Sequence, residues 1–436
     1  MCWRAETDYD LAILGGDMSS RVAASVAAQR GARVALIAPN WQIVDTTHYA
    51  WQALCRFDVT SRVGGFLLAD WVNYQCDRTV LSPANLTSQG IDVILEPASF
   101  TQELCLNLET RSLKASRYLL TDGYGIADSP VADGLLCHQL AQLEQMPEHV
   151  AVVGYGATAV EWAYALSRSA TVTLVLLTQT LLPAADQDIQ RLVAAQLESL
   201  GIKIIFSQDH SKIHGIRATL NVDQWVVVPR PYACKTLALE NVGITPKVPI
   251  AVDPYLRTRC PQLYVSGGSL GGENRPELTQ QEMRIALDNV LFGRRHMMHY
   301  ERAFYGIHLL SPVGHWGLTE YQAKQRYGQD VQIFQGFCLP EVADHVAQTN
   351  FCKLITLGQW IIGVHLMGEG APGLVAALGK RPRMQLLSQW MTGSFRSGSL
   401  QAAVYQAIAQ WQNSRWRPGQ WRRDWAENWF NLRRSL

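Results

Sequence analysis

Apolar and small residues recur in a fixed order near the start of the chain. The run Leu11–Leu14 predicts a buried strand, and Gly15-Gly16-Asp17-Met18-Ser19-Ser20 a tight loop. A helix of small residues over 20–29 and a second strand at Val34–Ile37 follow, with Gly31 placed where a helix-ending glycine belongs. The pattern returns as a strand at 150–153, the loop Gly154-Tyr155-Gly156, a helix over 157–167 and a strand at 172–176. Two such openings about one domain apart predict two parallel-sheet units, each with right-handed crossovers.

Beyond Gly272 the periodicity changes. Residues 276–293 read as a helix, then 305–310, 331–337, 353–357 and 361–367 alternate like antiparallel strands, with a covering helix near 320–326. This predicts a third, α+β domain beginning near residue 302. From about residue 401 tryptophans (Trp411, Trp416, Trp421, Trp425, Trp429) interleave with arginines (Arg415, Arg417, Arg422, Arg423, Arg433, Arg434). The i, i+4, i+8 spacing of Trp421, Trp425 and Trp429 would stack them on one helix face beside Leu432.

Length and charge narrow the classes. A chain of 436 residues has room for several cores, and 48% hydrophobic with 17% charged residues is an ordinary globular composition. The net charge of +1 gives no global case for nucleic acid as a partner. No apolar run is long enough for a membrane span, and the first residues lack a signal-peptide pattern, so a cytoplasmic protein is expected. The nine cysteines are scattered with no close pair, which reads as buried reduced thiols rather than zinc or a local disulfide.

The order of several further segments carries a resemblance: LLPAADQD (181–188), LESLGIKI (197–204), PRPYACKTLALENVGI (229–244), LRTRCPQLYVSGG (256–268), GLTEYQA (317–323) and KLITLGQWIIGVHLMG (353–368). Together with the two glycine loops, they make roughly residues 8–400 resemble the flavoprotein pyridine nucleotide-disulfide oxidoreductases, such as dihydrolipoamide dehydrogenase, glutathione reductase and mercuric reductase. The resemblance implies an α/β fold with two Rossmann-like nucleotide-binding domains and a C-terminal α+β dimerisation domain. The expected division is an FAD-type domain at 1–145 and 250–302, an NAD(P)-type domain at 146–249, a dimerisation-type domain at 303–400 and the Trp/Arg tail at 401–436. A homodimer is implied with it.

Position by position, the family chemistry is altered. Where GxGxxG should meet the FAD pyrophosphate only Gly15 remains, followed by Gly16 and with Asp17 and Ser20 at the other two positions. An ionised Asp17 beside a phosphate would cost on the order of 4 kcal/mol at ~4 Å and a dielectric of about 20, whereas Asp17, Ser19 and Ser20 suit the N-terminus of their own helix. The second strand ends in Ala38-Pro39 without the ribose-binding acid. Gly267-Gly268 stands where the family has Gly-Asp, and Thr121-Asp122-Gly123 where it has Ala-Thr-Gly. Gly15, Gly16, Gly123, Gly267 and Gly268 therefore make a degenerate FAD site, and bound FAD is doubted on these grounds.

The redox relay is missing too. Trp41, Thr46 and Thr47 occupy the stretch expected to hold the CxxxxC pair, and Phe395 and Leu400 fall where the partner subunit's His and Glu should lie. No catalytic residue is assigned, and a hydroxyl cannot replace a thiolate. The second loop is better kept: Gly154, Gly156 and Ala159 fit GxGxxA, with Glu161 at the family glutamate. NAD(P) stays open there, because these residues equally serve close strand-to-helix packing. His296 and His299, spaced i, i+3 on an expected helix, lack further ligands and no metal is assigned; His138 reads as structural and Arg230 as a domain contact.

Two functions remain. One is a pseudoenzyme used as a docking or assembly factor, with Trp421, Arg422, Trp425 and Trp429 meeting a protein partner or a membrane surface peripherally. The other is an active flavin-dependent NAD(P)H oxidoreductase with a non-thiol acceptor such as a quinone.

Overall fold

Leu11–Leu14 is wholly buried and sits at the centre of a five-stranded parallel sheet. In the computed structural model its neighbours are Val34–Ile37 and Tyr118–Leu120, with Asp92–Ile94 and Leu263–Val265 at the edges. Such strands are apolar throughout because helices or loops cover both sheet faces. The structure describes residues 7–56, 68–125, 131, 134–143, 145–207, 213–228, 235–272, 275–339, 348–378, 383–390, 396–416 and 421–435. Phe395, Arg230 and Arg417 lie outside them.

The first crossover is helix Met18–Gln29, which buries Ala23, Ala24 and Ala27. Alanine lets a helix approach a sheet closely, since it has no side chain beyond the β-carbon. Arg30 caps the helix and Gly31 follows at φ +89°. A second parallel sheet runs Lys203–Phe206, Thr171–Leu176, His149–Gly154, Gln224–Val227, Leu135–Leu136. A small antiparallel meander, Ser99–Phe100, Leu106–Asn107 and Ser112–Leu113, adds to the first sheet's core through Phe100, Leu106 and Leu113.

The chain divides into two compact units, residues 1–183 with 200–299, and 184–199 with 300–436. The first contains both parallel sheets. The second is built on an antiparallel sheet ordered Phe304–Ile307, Val313–Gly317, Trp360–Met367, Asn350–Leu357, Val331–Cys338. Helix Leu400–Ser414 lays Ala403, Val404, Ala407, Ile408 and Trp411 into that unit's core. The fold is therefore α/β with two Rossmann-like sheets and an antiparallel α+β part.

Several stretches differ from expectation. Residues 293–299 are irregular rather than helical, because Gly293 closes helix Pro276–Phe292. His296 and His299 therefore do not share a helix face. Helix Trp41–Arg56 and strand Val313–Gly317 were not anticipated: the first carries Asp45 on its buried side, and the second has two glycines and a histidine in five residues. Each breaks the apolar period that marks such an element.

Buried charge fixes the second unit internally. Lys353, in strand Asn350–Leu357, places Nζ 2.7 Å from Asp186 Oδ1, 2.7 Å from Asp188 Oδ2 and 2.6 Å from Glu320 Oε2. Beside it His315 and His365 face each other through Nδ1 at 3.2 Å, and His365 Nε2 lies 3.0 Å from the Leu318 carbonyl. Burial holds both imidazoles below their usual range.

Candidate functional site

Four amides at the mouth of the first glycine loop are bonded by the chain itself. Asp17 is the N-cap of helix Met18–Gln29: its carboxylate accepts from Ser19 N and Ser20 N, both at 3.2 Å, and from Ser20 Oγ. Gly16 N donates to the Asp122 carbonyl at 3.2 Å and Gly15 N to the Ile37 carbonyl at 2.9 Å. Opposite, Gly268 N donates to Asp122 Oδ1 at 2.8 Å, Thr279 Oγ1 to Asp122 Oδ2 at 3.3 Å and Gly267 N to Glu282 Oε2 at 2.7 Å.

The five glycines of the first site are thus brought together around Asp17 and Asp122. Gly123 could not carry a side chain, since a β-carbon would lie 2.8 Å from Asp17 N and 3.0 Å from Val44 Cγ2. At Gly267, φ is +81° and a β-carbon would run into the Asp122 carboxylate. Residues 15–17, 121–123 and 267–268 are therefore in close contact.

Next to this cap lies a charge cluster that sequence reasoning missed. Arg21 is fully buried, one turn into the helix. Its Nε donates to the Gly16 carbonyl at 2.8 Å, and its guanidinium carbon lies 3.5 Å from the centre of the Trp41 ring. Nη1 sits 2.8 Å from Asp45 Oδ1 in a buried ion pair, and Nη2 has no hydrogen-bond partner among the described residues. Burial pushes the Asp45 carboxyl up and the Arg21 guanidinium down, outweighing their mutual attraction. Helix Trp41–Arg56, which brings Trp41, Val44 and Asp45, therefore lies against the Gly-loop end of the first sheet.

Electrostatics around Asp122 have a measurable sign. Burial, followed by the Asp17 and Glu282 carboxylates, pushes Asp122 up from 3.8 to about 8. A raised acid stabilises the fold fully below its unfolded value and loses that contribution as pH climbs through about 8. Asp122→Asn keeps an oxygen for Gly268 N and never ionises. It is expected to match the wild type only at or below roughly pH 4 and to melt at an increasingly higher temperature than the wild type as pH rises towards about 8; a pH series of thermal melts checks this.

The thiol positions are also placed. Trp41, Thr46 and Thr47 lie along helix Trp41–Arg56, where Thr47 Oγ1 donates to the Ile43 carbonyl at 2.7 Å. Cys55, on the same helix, and Cys76 are free, with thiols pushed by burial to about 12 and about 11. Such thiols hold almost no thiolate at neutral pH. Leu400 begins helix Leu400–Ser414 and is buried. His138 lies in the short helix Cys137–Gln142, and no metal-competent group of three His, Cys, Asp or Glu occurs among the described residues.

At the second loop, helix Gly156–Leu166 starts with Tyr155 as N-cap and without a side-chain cap bond, unlike the Asp17 cap. A β-carbon at Gly154 would lie 2.9 Å from both Ala159 Cβ and Val228 Cβ, so the loop packs as tightly as the glycine spacing implies. Glu161 faces inward, gripped at 2.7 and 2.5 Å by both terminal nitrogens of Arg275, the N-cap of helix Pro276–Phe292. Trp421, Arg422, Trp425 and Trp429 lie on helix Trp421–Ser435, remote in sequence from both loops.

Comparison with known proteins agrees with this architecture. The profile described as pyridine nucleotide-disulphide oxidoreductase matches residues 9–286. The chain is 27% identical over 208 residues to the probable pyridine nucleotide-disulfide oxidoreductase RclA of Escherichia coli K12, covering 44% of this chain and 47% of that protein. It is 24% identical over 333 residues to mercuric reductase of Staphylococcus aureus, covering 70% of this chain and 60% of that enzyme. The matches to these two relatives thus span only about half of their length. Glutathione reductase of Schizosaccharomyces pombe matches more completely, at 25% identity over 86% of this chain and 93% of its own length. Among solved structures, the Cu(II) complex of the HOCl-induced flavoprotein disulfide reductase RclA from E. coli superposes with a TM-score of 0.69 at 19% identity, covering 93% of this chain and 100% of that one. With the profile spanning both parallel sheets, the chain belongs to the pyridine nucleotide-disulphide oxidoreductase family.

Proposed function

We propose that this chain is a member of its family without disulfide reductase activity, a homodimeric scaffold used for docking or assembly, whose flavin crevice is closed by its own residues. One observation carries the reading: Asp17 bonds the helix-terminal amides while Arg21, Trp41 and Asp45 pack beside it. The residues present do not fit an FAD pyrophosphate in the family manner, since the Ser19 and Ser20 amides at that helix end are already bonded by Asp17. The absence of any two cysteines five positions apart in the sequence supports the same reading. With it goes the domain division of 1–145 with 250–302, 146–249, 303–400 and a tail at 401–436.

A second reading is favoured by one specific observation. The start of helix Gly156–Leu166, where the N-cap Tyr155 makes no side-chain cap bond and Gly156 has φ +51°, is the kind of glycine-led helix terminus that receives a nucleotide phosphate. On that reading the chain is a flavin-dependent NAD(P)H oxidoreductase with a non-thiol acceptor such as a quinone. The visible spectrum of the purified protein separates the two: the scaffold is colourless, whereas the oxidoreductase is yellow with bound flavin.

A further inference from the structure

Helix Trp421–Ser435 buries only Ala426 of its fifteen residues. Trp421, Trp425, Trp429 and Leu432 are exposed to 70, 61, 47 and 54%. At about 100° per residue these four fall within an arc of roughly 80°. Trp425 and Trp429 lie with ring planes 2° apart and centres at 6.1 Å, forming a flat stripe rather than a knob.

Charge is distributed unevenly around that stripe. Arg422 and Arg433 border it directly, and the Arg422 guanidinium also lies 5.3 Å from the Trp421 ring centre. Of the two acids, Glu427 is on the far side and pairs with Arg423 at 2.7 Å, while Asp424 is set back beyond Asn428 and Ser435. Four arginines against two acids, with pairs at both ends, leave the helix net positive along its length. Pairing with the same helix of a second copy, parallel or antiparallel, would bring arginine ends against arginine ends.

From this we infer that the occupant of the stripe is an anionic phospholipid surface, on which the helix lies in the plane of the headgroups. Indole rings suit that boundary, being apolar in area with a polar N–H edge, and the bordering arginines reach lipid phosphates. No helix among the described residues is long and apolar enough to cross a membrane, so the contact is peripheral. The inference goes beyond the scaffold reading and stands whether or not the first crevice takes flavin.

Co-sedimentation of the full chain with phosphatidylcholine vesicles containing about one-third phosphatidylserine tests it, against vesicles of phosphatidylcholine alone. Binding to the anionic vesicles is expected, with a loss of about tenfold or more in Trp421→Ser/Trp425→Ser/Trp429→Ser and a weaker, salt-sensitive loss in Arg422→Gln/Arg433→Gln. All five positions are on an exposed helix, and unchanged thermal melting verifies that the variants fold. Absence of binding to anionic vesicles, or binding unaltered by the triple substitution, overturns the inference. So does a change of oligomeric state in the triple variant without lipid, which would make the stripe an interface between copies.

Discussion

Arg21→Ala is expected to destabilise the first unit by about 3–5 kcal/mol, the cost of leaving a buried partner charge uncompensated. Asp45 has a side chain only 7% exposed, and burial already pushes its carboxyl up with the guanidinium present. Removing Arg21 also empties the volume stacked on Trp41 and leaves the Gly16 carbonyl without its 2.8 Å donor. The paired substitution Arg21→Met/Asp45→Leu is expected to recover most of the loss, because it removes both desolvated charges while keeping the space filled. Urea titrations of Arg21→Met, Asp45→Leu and the double variant give the coupling. Near-additive losses would mean that Arg21 and Asp45 do not act as a pair.

Lys353→Ala is expected to cost a similar amount, about 3–5 kcal/mol, in the second unit. Lys353 and Asp186 are both 1% exposed, and three carboxylates converge on the one ammonium. Burial alone would lower the lysine, but hydrogen bonds to Asp186, Asp188 and Glu320 outweigh it and hold it above its usual value. Asp186 and Glu320 are held below theirs, against the upward pull of burial, by charges that include Lys353. Carboxyls lowered in this way stabilise the fold above their unfolded values and lose that contribution as pH falls. Without the lysine the same groups repel one another and are driven upward. The deficit of the variant should therefore be largest near neutral pH and shrink towards roughly pH 4. A deficit independent of pH would indicate lost packing instead.

Much of this architecture was legible because strand and helix periods were clean. Leu11–Leu14 and Val34–Ile37 are wholly buried, and the tail helix carries its tryptophans at the spacing that exposes one stripe. The Asp17 cap was legible for a local reason, since an acid just ahead of two serines reaches the next amides whatever the rest of the fold does. Arg21, Asp45, Arg275 and Lys353 were not, because a pattern of apolar positions assigns charged residues to the surface. Each is buried by a partner far away in sequence or on another element, and one sequence does not display that pairing. A faint signal existed: Arg21 interrupts a helix otherwise made of small residues, and Lys353 stands within a strand of apolar ones. The helix Trp41–Arg56 was hidden by the same cause, as Asp45 sits on its inner face.

The closure of the first crevice is the claim on which the rest depends. It is tested most directly by the FAD released on heat denaturation of protein expressed with excess flavin, measured per mole of chain. The account predicts far less than one equivalent, with no yellow colour and no flavin regained on incubation with free FAD. Close to one equivalent, tightly held, would contradict it.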